Sequence, residues 1–377
     1  MAARRALLAA SATLALCSPA RADDLRSALV SAYSTNPTLE AARANLRATD
    51  EGVPIARADG LPALNATATE TEYVRQSALS SSGADRLLSV GTTLSVPLYA
   101  GGGIRNAVGA AERRVDAGQA DLRGSESAIF TQSVASYLDV ILNEAVVRLS
   151  RAQVRTLTTN LQATTDRFQI GELTRTDVAQ SQSRLALAQG NLRSAEANLV
   201  QARERYIQVI GKAPVALEPP PPLPGLPASA DEAVQHALDH NPDLAGATAR
   251  AKAARLDVKS VEASRLPKLS LFADGAYADY LGTLSVAGAP ARPLPQHGTS
   301  ADFGLRATIP LFQGGRPAAQ ISQAEARESA ALENRIAAER SVIAQTRAAF
   351  SSWRAANEII TSTQAAVDAA ALSLEGV

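Results

Sequence analysis

Two of the three histidines in this 377-residue chain could share a ligand. His236 and His240 stand four residues apart with Glu232 one turn earlier, so a helix would bring all three to one face. Imidazole and carboxylate together are donors for a transition-metal ion, but no fourth donor is evident in the sequence. A solvated helix face accounts for the trio equally simply. Gly101-Gly102-Gly103 has the composition of a phosphate-cradling loop, yet no Gly-Lys-Ser/Thr follows it. A tight strand-to-helix turn is the simpler reading. Asp177 lies six residues past Gly171, either as a lone helix charge or as a residue facing a partner or a pore. No Ser/His/Asp arrangement and no paired acids stand out. The expectation is therefore a non-enzyme with no catalytic residues, no cofactor and no metal.

The elements that must position these residues start with a leader. Arg4 and Arg5 precede an apolar stretch from Ala6 to Leu16, and Ala20-Arg21-Ala22 supplies small residues at −3 and −1. That is the pattern of a secretory signal peptide cleaved after Ala22. Cys17, the only cysteine, falls inside it after Leu16, which is not the small residue that lipidation expects. The mature chain then has no thiol or disulfide. Lys and Arg total 37, as do Asp and Glu, which removes the electrostatic reason to expect a nucleic-acid partner. No apolar run outside the leader approaches the roughly 20 residues of a membrane helix. If the protein enters a membrane, strands must carry it.

A duplication organises the chain. Asn36-Pro37-Thr38-Leu39 recurs as Asn241-Pro242-Asp243-Leu244, an offset of 205 (241 − 36). Val96-Pro97-Leu98-Tyr99-Ala100-Gly101-Gly102 recurs as Ile309-Pro310-Leu311-Phe312-Gln313-Gly314-Gly315, at 213 (310 − 97). The extra residues fall in a Gly/Pro/Ala loop around Ala287 to Gly298. Each copy reads as a helix, two strands and a much longer helix. Leu88, Val90, Thr92, Leu94, Val96 and Leu98 alternate with Ser89, Gly91, Thr93 and Ser95. Phe303, Leu305, Ala307, Ile309 and Leu311 alternate with Gly304, Arg306 and Thr308. Period two sends each set to its own face of a sheet, so Leu94 and Leu305 should part from Thr93 and Arg306. The first strands, near Leu64 to Tyr73 and Leu269 to Tyr280, are patterned more weakly, and Pro62 and Pro267 mark their starts. Two small soluble hairpins would share this pattern, but a secretion signal and strands of about ten residues fit a membrane barrel.

Between Pro97 and Pro214 there is no proline, and none after Pro317. The first span predicts a helix over about 104–166, a break at Gly171, and a return helix over about 174–210. About 60 residues at about 1.5 Å each make a rod on the order of 90 Å. Leu185, Leu192, Leu199 and Tyr206 recur every seven residues, each followed three later by Ala188, Ala195, Ala202 and Val209. That is a coiled-coil seam with a small residue at every second layer. Val154, Leu157, Leu161 and Phe168 continue it on the outgoing helix, and Ile336, Ile343 and Phe350 repeat the spacing in copy two. A soluble coiled coil would look the same. The run from Pro214 to Pro227 is an extended connector.

This combination resembles the TolC family of outer-membrane factors over nearly the whole mature chain. Arg167-Phe168-Gln169-Ile170-Gly171-Glu172-Leu173-Thr174-Arg175-Thr176-Asp177-Val178 resembles that family's helical-tip turn, and its wording is most similar to the type I secretion branch. The resemblance implies a mainly α chain with a membrane β part: a homotrimer whose protomers share a twelve-stranded β-barrel continued by a periplasmic α-helical barrel. It implies a passive duct in outer-membrane lipid for secretion or efflux, with no nucleic acid involved. Phe168, Ile170, Gly171, Glu172, Leu173, Thr174, Arg175 and Asp177 would form a tip that docks a periplasmic adaptor (membrane fusion protein). That adaptor would serve an inner-membrane ABC transporter or a proton-driven pump. Pro97, Gly101, Gly102, Pro310, Gly314 and Gly315 would form the strand-to-helix turns. The competing reading is a periplasmic coiled-coil scaffold or adaptor-like protein without a membrane pore.

Expected boundaries are 1–22 for the signal peptide, 23–211 for the first copy and 212–228 for the connector. The second copy takes 229–377, with strands about 267–311 and a long helix about 317–377. Copy one departs from the family in Gly103-Ile104-Arg105, where copy two has the more usual Gly315-Arg316. By the 213 offset Val377 matches Thr164, so the second copy is expected to lack its tip and return helix, and no gate residue can be assigned.

Overall fold

Asn-Pro pairs divide the helices that open each copy. The computed structural model describes residues 24–75, 82–286 and 294–375, so the expected leader and Cys17 lie outside the described residues. Helix α1 (Leu25–Thr35) stops at Asn36 and α2 (Pro37–Asp50) starts one residue later, followed by α3 (Gly52–Ala58). In copy two, α6 (Ala230–His240) gives way to α7 (Pro242–Glu262) at Asn241. The Asn241 Oδ1 accepts from the amides of Asp243 and Leu244 at 2.8 and 3.2 Å, and Asn36 Oδ1 accepts from the Thr38 amide at 2.9 Å. Proline follows at the first helical position, where no amide hydrogen is needed. The single helix expected before each strand pair is thus corrected to two or more, and the break is local chemistry.

Strands β1 (Ala63–Glu72), β3 (Arg86–Tyr99), β4 (Lys268–Asp279) and β6 (His297–Thr308) form one sheet in the order β1-β3-β4-β6. All its pairings are antiparallel, and β1 and β6 are its edges. A two-residue ladder, β2 (Ser82–Gly83) with β5 (Ser285–Val286), joins the two hairpin ends and carried no signal in the sequence. The alternation in copy two suggested a strand reaching Leu311. Instead β6 ends at Thr308, whose pairing with Lys268 is the last that β4 offers. Ile309 and Leu311 lie past that end, exposed, and Pro310 has no amide to extend a ladder.

The long helices follow: α4 (Gly103–Gln169), α5 (Arg175–Ile210) and α8 (Arg316–Glu375). By packing, residues 24–44 and Leu122–Pro227 form one compact unit, and Asn45–Asp121 with the described residues from Ala228 onward form another. In the first, α1 and the end of α5 close around Tyr137 and Tyr206, both fully buried, with ring centroids 6.4 Å apart. Ala28, Ala32, Ile129, Val140, Ala202, Val209 and Ile210 pack with them in this core. Tyr137 Oη donates to the Glu218 carbonyl at 2.7 Å and accepts from its amide at 3.1 Å. A proline-rich connector with few amides of its own is thereby tied to the helix. Ser31 Oγ donates to the Ile210 carbonyl at 3.0 Å, and Asn36 Nδ2 donates to that of Val209 at 3.0 Å. These side chains satisfy carbonyls that α5 leaves unpaired at its C-terminus.

The seam holds where side chains are small. Ala188, Ala195 and Ala202 are buried, while Leu185, Leu192 and Leu199 are half-buried, as are Val154, Leu157 and Leu161 opposite. Phe168 is exposed, so the seam opens before the tip. In the second unit α8 packs against α6 and α7 through Ile321, Ala324 and Val342. Ile336, Ile343 and Phe350 are half-buried there. Among the described residues no helix is long and apolar enough to cross a membrane.

Candidate functional site

Three places carry the residues singled out by sequence: the reversal between α4 and α5, the turns from strand to long helix, and the sheet. At the reversal, the Gly171 amide donates to the Phe168 carbonyl at 3.0 Å and the Glu172 amide to that of Arg167 at 2.9 Å. With Gly171 at φ +84°, this is the Schellman geometry that ends a helix with a left-handed residue. An apolar contact usually bridges the two residues that Arg167 and Glu172 occupy. Here an ion pair at 3.0 Å does so. Thr174 then caps α5: its Oγ1 accepts from the Asp177 amide, while Asp177 Oδ2 accepts from the Thr174 amide at 2.8 Å and hydroxyl at 2.7 Å. Ile170 is 71% exposed at the apex, Phe168 is exposed beside it, and Arg175 points to solvent. Leu173 is half-buried. The eight tip residues therefore divide into a frame (Gly171, Glu172, Thr174, Asp177) and an outward surface.

Asp177 thus serves the capping box. The Thr174 hydroxyl, and then the Thr174 amide, hold its carboxyl below the ordinary aspartate range. A carboxyl lowered on folding contributes in full above its unfolded value, and loses that contribution as pH falls through the folded one. Amides of the first turn of α5 are expected to lose hydrogen-exchange protection on acidification through the aspartate range. Asp177→Asn should abolish that acid step. An unchanged step in the variant would show that another group drives it.

The strand-to-helix turns repeat. Gly101 and Gly102 have φ +64° and +81°, and Gly314 and Gly315 have +57° and +78°. The Gly103 amide donates to Ala100 at 2.9 Å, and that of Arg316 to Gln313 at 3.1 Å. Pro97 lies within β3, and Pro310 lies beyond the end of β6. The copies differ in room: a Cβ on Gly101 would come within 2.8 Å of Leu266 Cβ, whereas one on Gly314 meets nothing within 4 Å. Gly314→Ala should cost about 1–2 kcal/mol of backbone strain alone. Gly101→Ala adds overlap costing about 1–3 kcal/mol more. Paired denaturation curves check this, and equal losses would refute it.

His236 and His240 stack at 4.5 Å with no convergent third donor. Glu232 turns the other way, accepting from the Ala228 amide at 2.9 Å to close the N-terminus of α6. The duplicate positions, Ser31 and Thr35, both bond to the Ile210 carbonyl. Among the described residues no three potential donors group around a metal position.

In the sheet, Leu94 pairs with Leu64 and Ala273, Leu271 with Leu305, and Ala273 with Phe303. One face accordingly carries Leu64, Val90, Leu94, Val96, Leu271, Phe303 and Leu305. The other carries Asn65, Thr67, Ser89, Thr93, Ser270, Asp302 and Arg306. Leu94 and Leu305 share the first, and Thr93 and Arg306 share the second. Sequence reasoning missed Phe272, an aromatic on the polar face. Arg306 lies over its ring at 4.7 Å, and Gly304 directly opposite leaves it room, since a Cβ there would come within 3.0 Å of the ring.

The chain matches the sequence model of the outer membrane efflux protein family over residues 28–212 and 233–375. It is 30% identical to the outer membrane efflux protein BepC of Brucella suis biovar 1 (strain 1330) over 358 residues, covering 95% of this chain and 76% of BepC. It is 25% identical to the outer membrane protein TolC of Escherichia coli K12 over 257 residues, covering 67% of this chain and 52% of TolC. The crystal structure of CusC, described in terms of folding and transmembrane channel formation, superposes with a TM-score of 0.74 at 18% identity. It covers 90% of this chain and 78% of CusC.

Proposed function

Because the chain belongs to the outer membrane efflux protein family, we propose that it is one protomer of an outer-membrane export duct. The observation that carries this reading is the open four-stranded sheet, polar on one face and, on the other, apolar from Leu64, Val96 and Leu305 as far as Val90 and Tyr277, beyond which Glu70, Glu72, Arg86, Asp279 and His297 follow. Its edges, β1 and β6, each have a single neighbour. Unpaired edge amides and carbonyls cost several kcal/mol each in hydrocarbon, so such a sheet spans only as part of a closed ring. Three copies supply twelve strands, and the even count suits an antiparallel barrel. From Leu269 to Tyr277 the apolar face spans nine residues of β4, which is eight steps. At about 3.4 Å per step that is about 27 Å of strand, and a tilt of about 40° leaves about 21 Å of height, close to the apolar band of outer-membrane barrels.

The duct is passive. Its long helices lie in the periplasm, and its tip docks an adaptor belonging to an ABC transporter or a proton-driven pump. What supports docking is the division at the tip between a self-satisfied frame and an outward surface bearing Ile170 and Phe168. The cargo class is a secreted protein or a small toxic compound; the relative BepC is named as an outer membrane efflux protein.

Membrane fractionation of cells expressing the full chain tests this. A heat-resistant trimer extracted from the outer membrane with detergent is the expected result. A monomeric, freely soluble periplasmic species would favour the coiled-coil scaffold instead.

A further inference from the structure

All the formal charge on the polar face of the sheet comes from copy two. In the paired stretches, β1 and β3 contribute Ala, Asn, Thr, Ser, Gly and Leu to that face until Pro97. From β4 and β6 come Lys268 opposite Thr308, Ser270 opposite Arg306, Phe272 opposite Gly304, and Asp274 opposite Asp302. The two aspartates are thus direct cross-strand neighbours, with Cβ atoms about 4.5–5.5 Å apart, an arrangement of like charges that works against sheet formation. Arg306 is held along the wall by the Phe272 ring. Asp302 and Arg306 are four steps apart along β6, about 13 Å of backbone at strand rise. The Arg306 guanidinium, drawn toward Phe272, closes part of that interval, but the two tiers still occupy different levels of the wall.

We propose that Asp274 and Asp302 form an acidic tier, and Lys268 and Arg306 a separate basic tier nearer the helices, which together sort permeant ions by charge inside the duct. The proposal rests on the reading of this chain as a duct protomer with the polar face inward. In a trimer each tier holds six charges. Twelve strands about 4.8 Å apart and tilted about 40° set the wall about 12 Å from the axis, with side chains reaching inward from it. Six screened charges at about 9–12 Å change the concentration of a monovalent ion on the axis by about three- to seven-fold at ~0.1 M salt. The acidic tier raises potassium locally, and the basic tier raises chloride. Rings of charged side chains set ion preference in other pores by the same means.

The test is the reversal potential of the full-chain trimer in a planar lipid bilayer under a KCl gradient. Asp274→Asn with Asp302→Asn should lower the potassium-to-chloride permeability ratio by about three- to seven-fold, and Lys268→Gln with Arg306→Gln should raise it similarly. The single changes Asp302→Asn and Arg306→Gln, both at exposed positions on β6, should give about half of each effect on a logarithmic scale, and they decide the matter if a double variant does not assemble. Opposite shifts support the proposal. Conductance with no shift, or shifts of the same sign, overturns it and leaves the duct reading intact. No conductance from the unaltered trimer would overturn the duct reading, and the proposal with it.

Discussion

Replacing Leu94 with Arg removes the trimer from the outer-membrane fraction, whereas replacing the adjacent Thr93 with Arg leaves it in place. Leu94 sits between Leu64 and Ala273, level with Phe303, on the apolar face. An arginine facing lipid near mid-bilayer costs about 2–4 kcal/mol, and three copies bring about 6–12 kcal/mol to each trimer. A typical domain has only about 5–15 kcal/mol of stability to lose. Thr93, one residue away, pairs with Asn65 and Asp274 on the polar face. A guanidinium there has an amide and a carboxylate beside it and water around it. The measurement is the heat-resistant trimer band in detergent extracts of the outer membrane, with total protein as control. Equal loss in both variants would mean that the two faces do not divide lipid from lumen.

Much of this architecture was legible because it is written in periods. Alternation over Leu88 to Leu98 marked the central strand β3, and the Leu185/Ala188 heptads marked the return helix. The proline-free span located α4 to within a few residues at each end. Short polar contacts were harder to read. Asn36 looked like a repeat landmark, yet its side chain also secures the end of α5 173 residues away, a partner no local pattern names. Asp177 read as a lone charge or a contact residue, and its capping role was hidden because it depends on the Thr174 backbone conformation. Phe272 broke the alternation of a weakly patterned strand, and only the register placing Gly304 opposite accounts for it. The end of β6 depended on where β4 stops pairing, which no feature of Ile309 or Leu311 discloses. Periodicity reports burial, and these exceptions were fixed by partners distant in sequence.

At the helical tip, Gly171→Val and Leu173→Asp should each abolish export while leaving a trimer in the membrane. Gly171 holds φ +84° with open space around it, so a new side chain meets no neighbour and the effect is confined to the backbone. Valine, branched at Cβ, is a poor occupant of the left-handed region, with strain of at least about 1–2 kcal/mol. The reversal can relieve that strain only by shifting the frame that presents Ile170 and Phe168. Leu173→Asp acts differently, placing a third carboxylate between Glu172 and Asp177 in a surface proposed to meet a partner through apolar contact. Neither change touches the Tyr137/Tyr206 core or the strand edges, so assembly should persist. Gly171→Asn separates shape from tolerance, because asparagine enters the left-handed region readily, and it should keep most export. Cargo appearance outside cells of a deletion strain, together with crosslinking of the tip to its adaptor, supplies the readout. Normal export by both Gly171→Val and Leu173→Asp would remove the docking role from this turn. Loss of export in Gly171→Asn equal to that in Gly171→Val would show that the glycine itself, and not the reversal it permits, makes the contact.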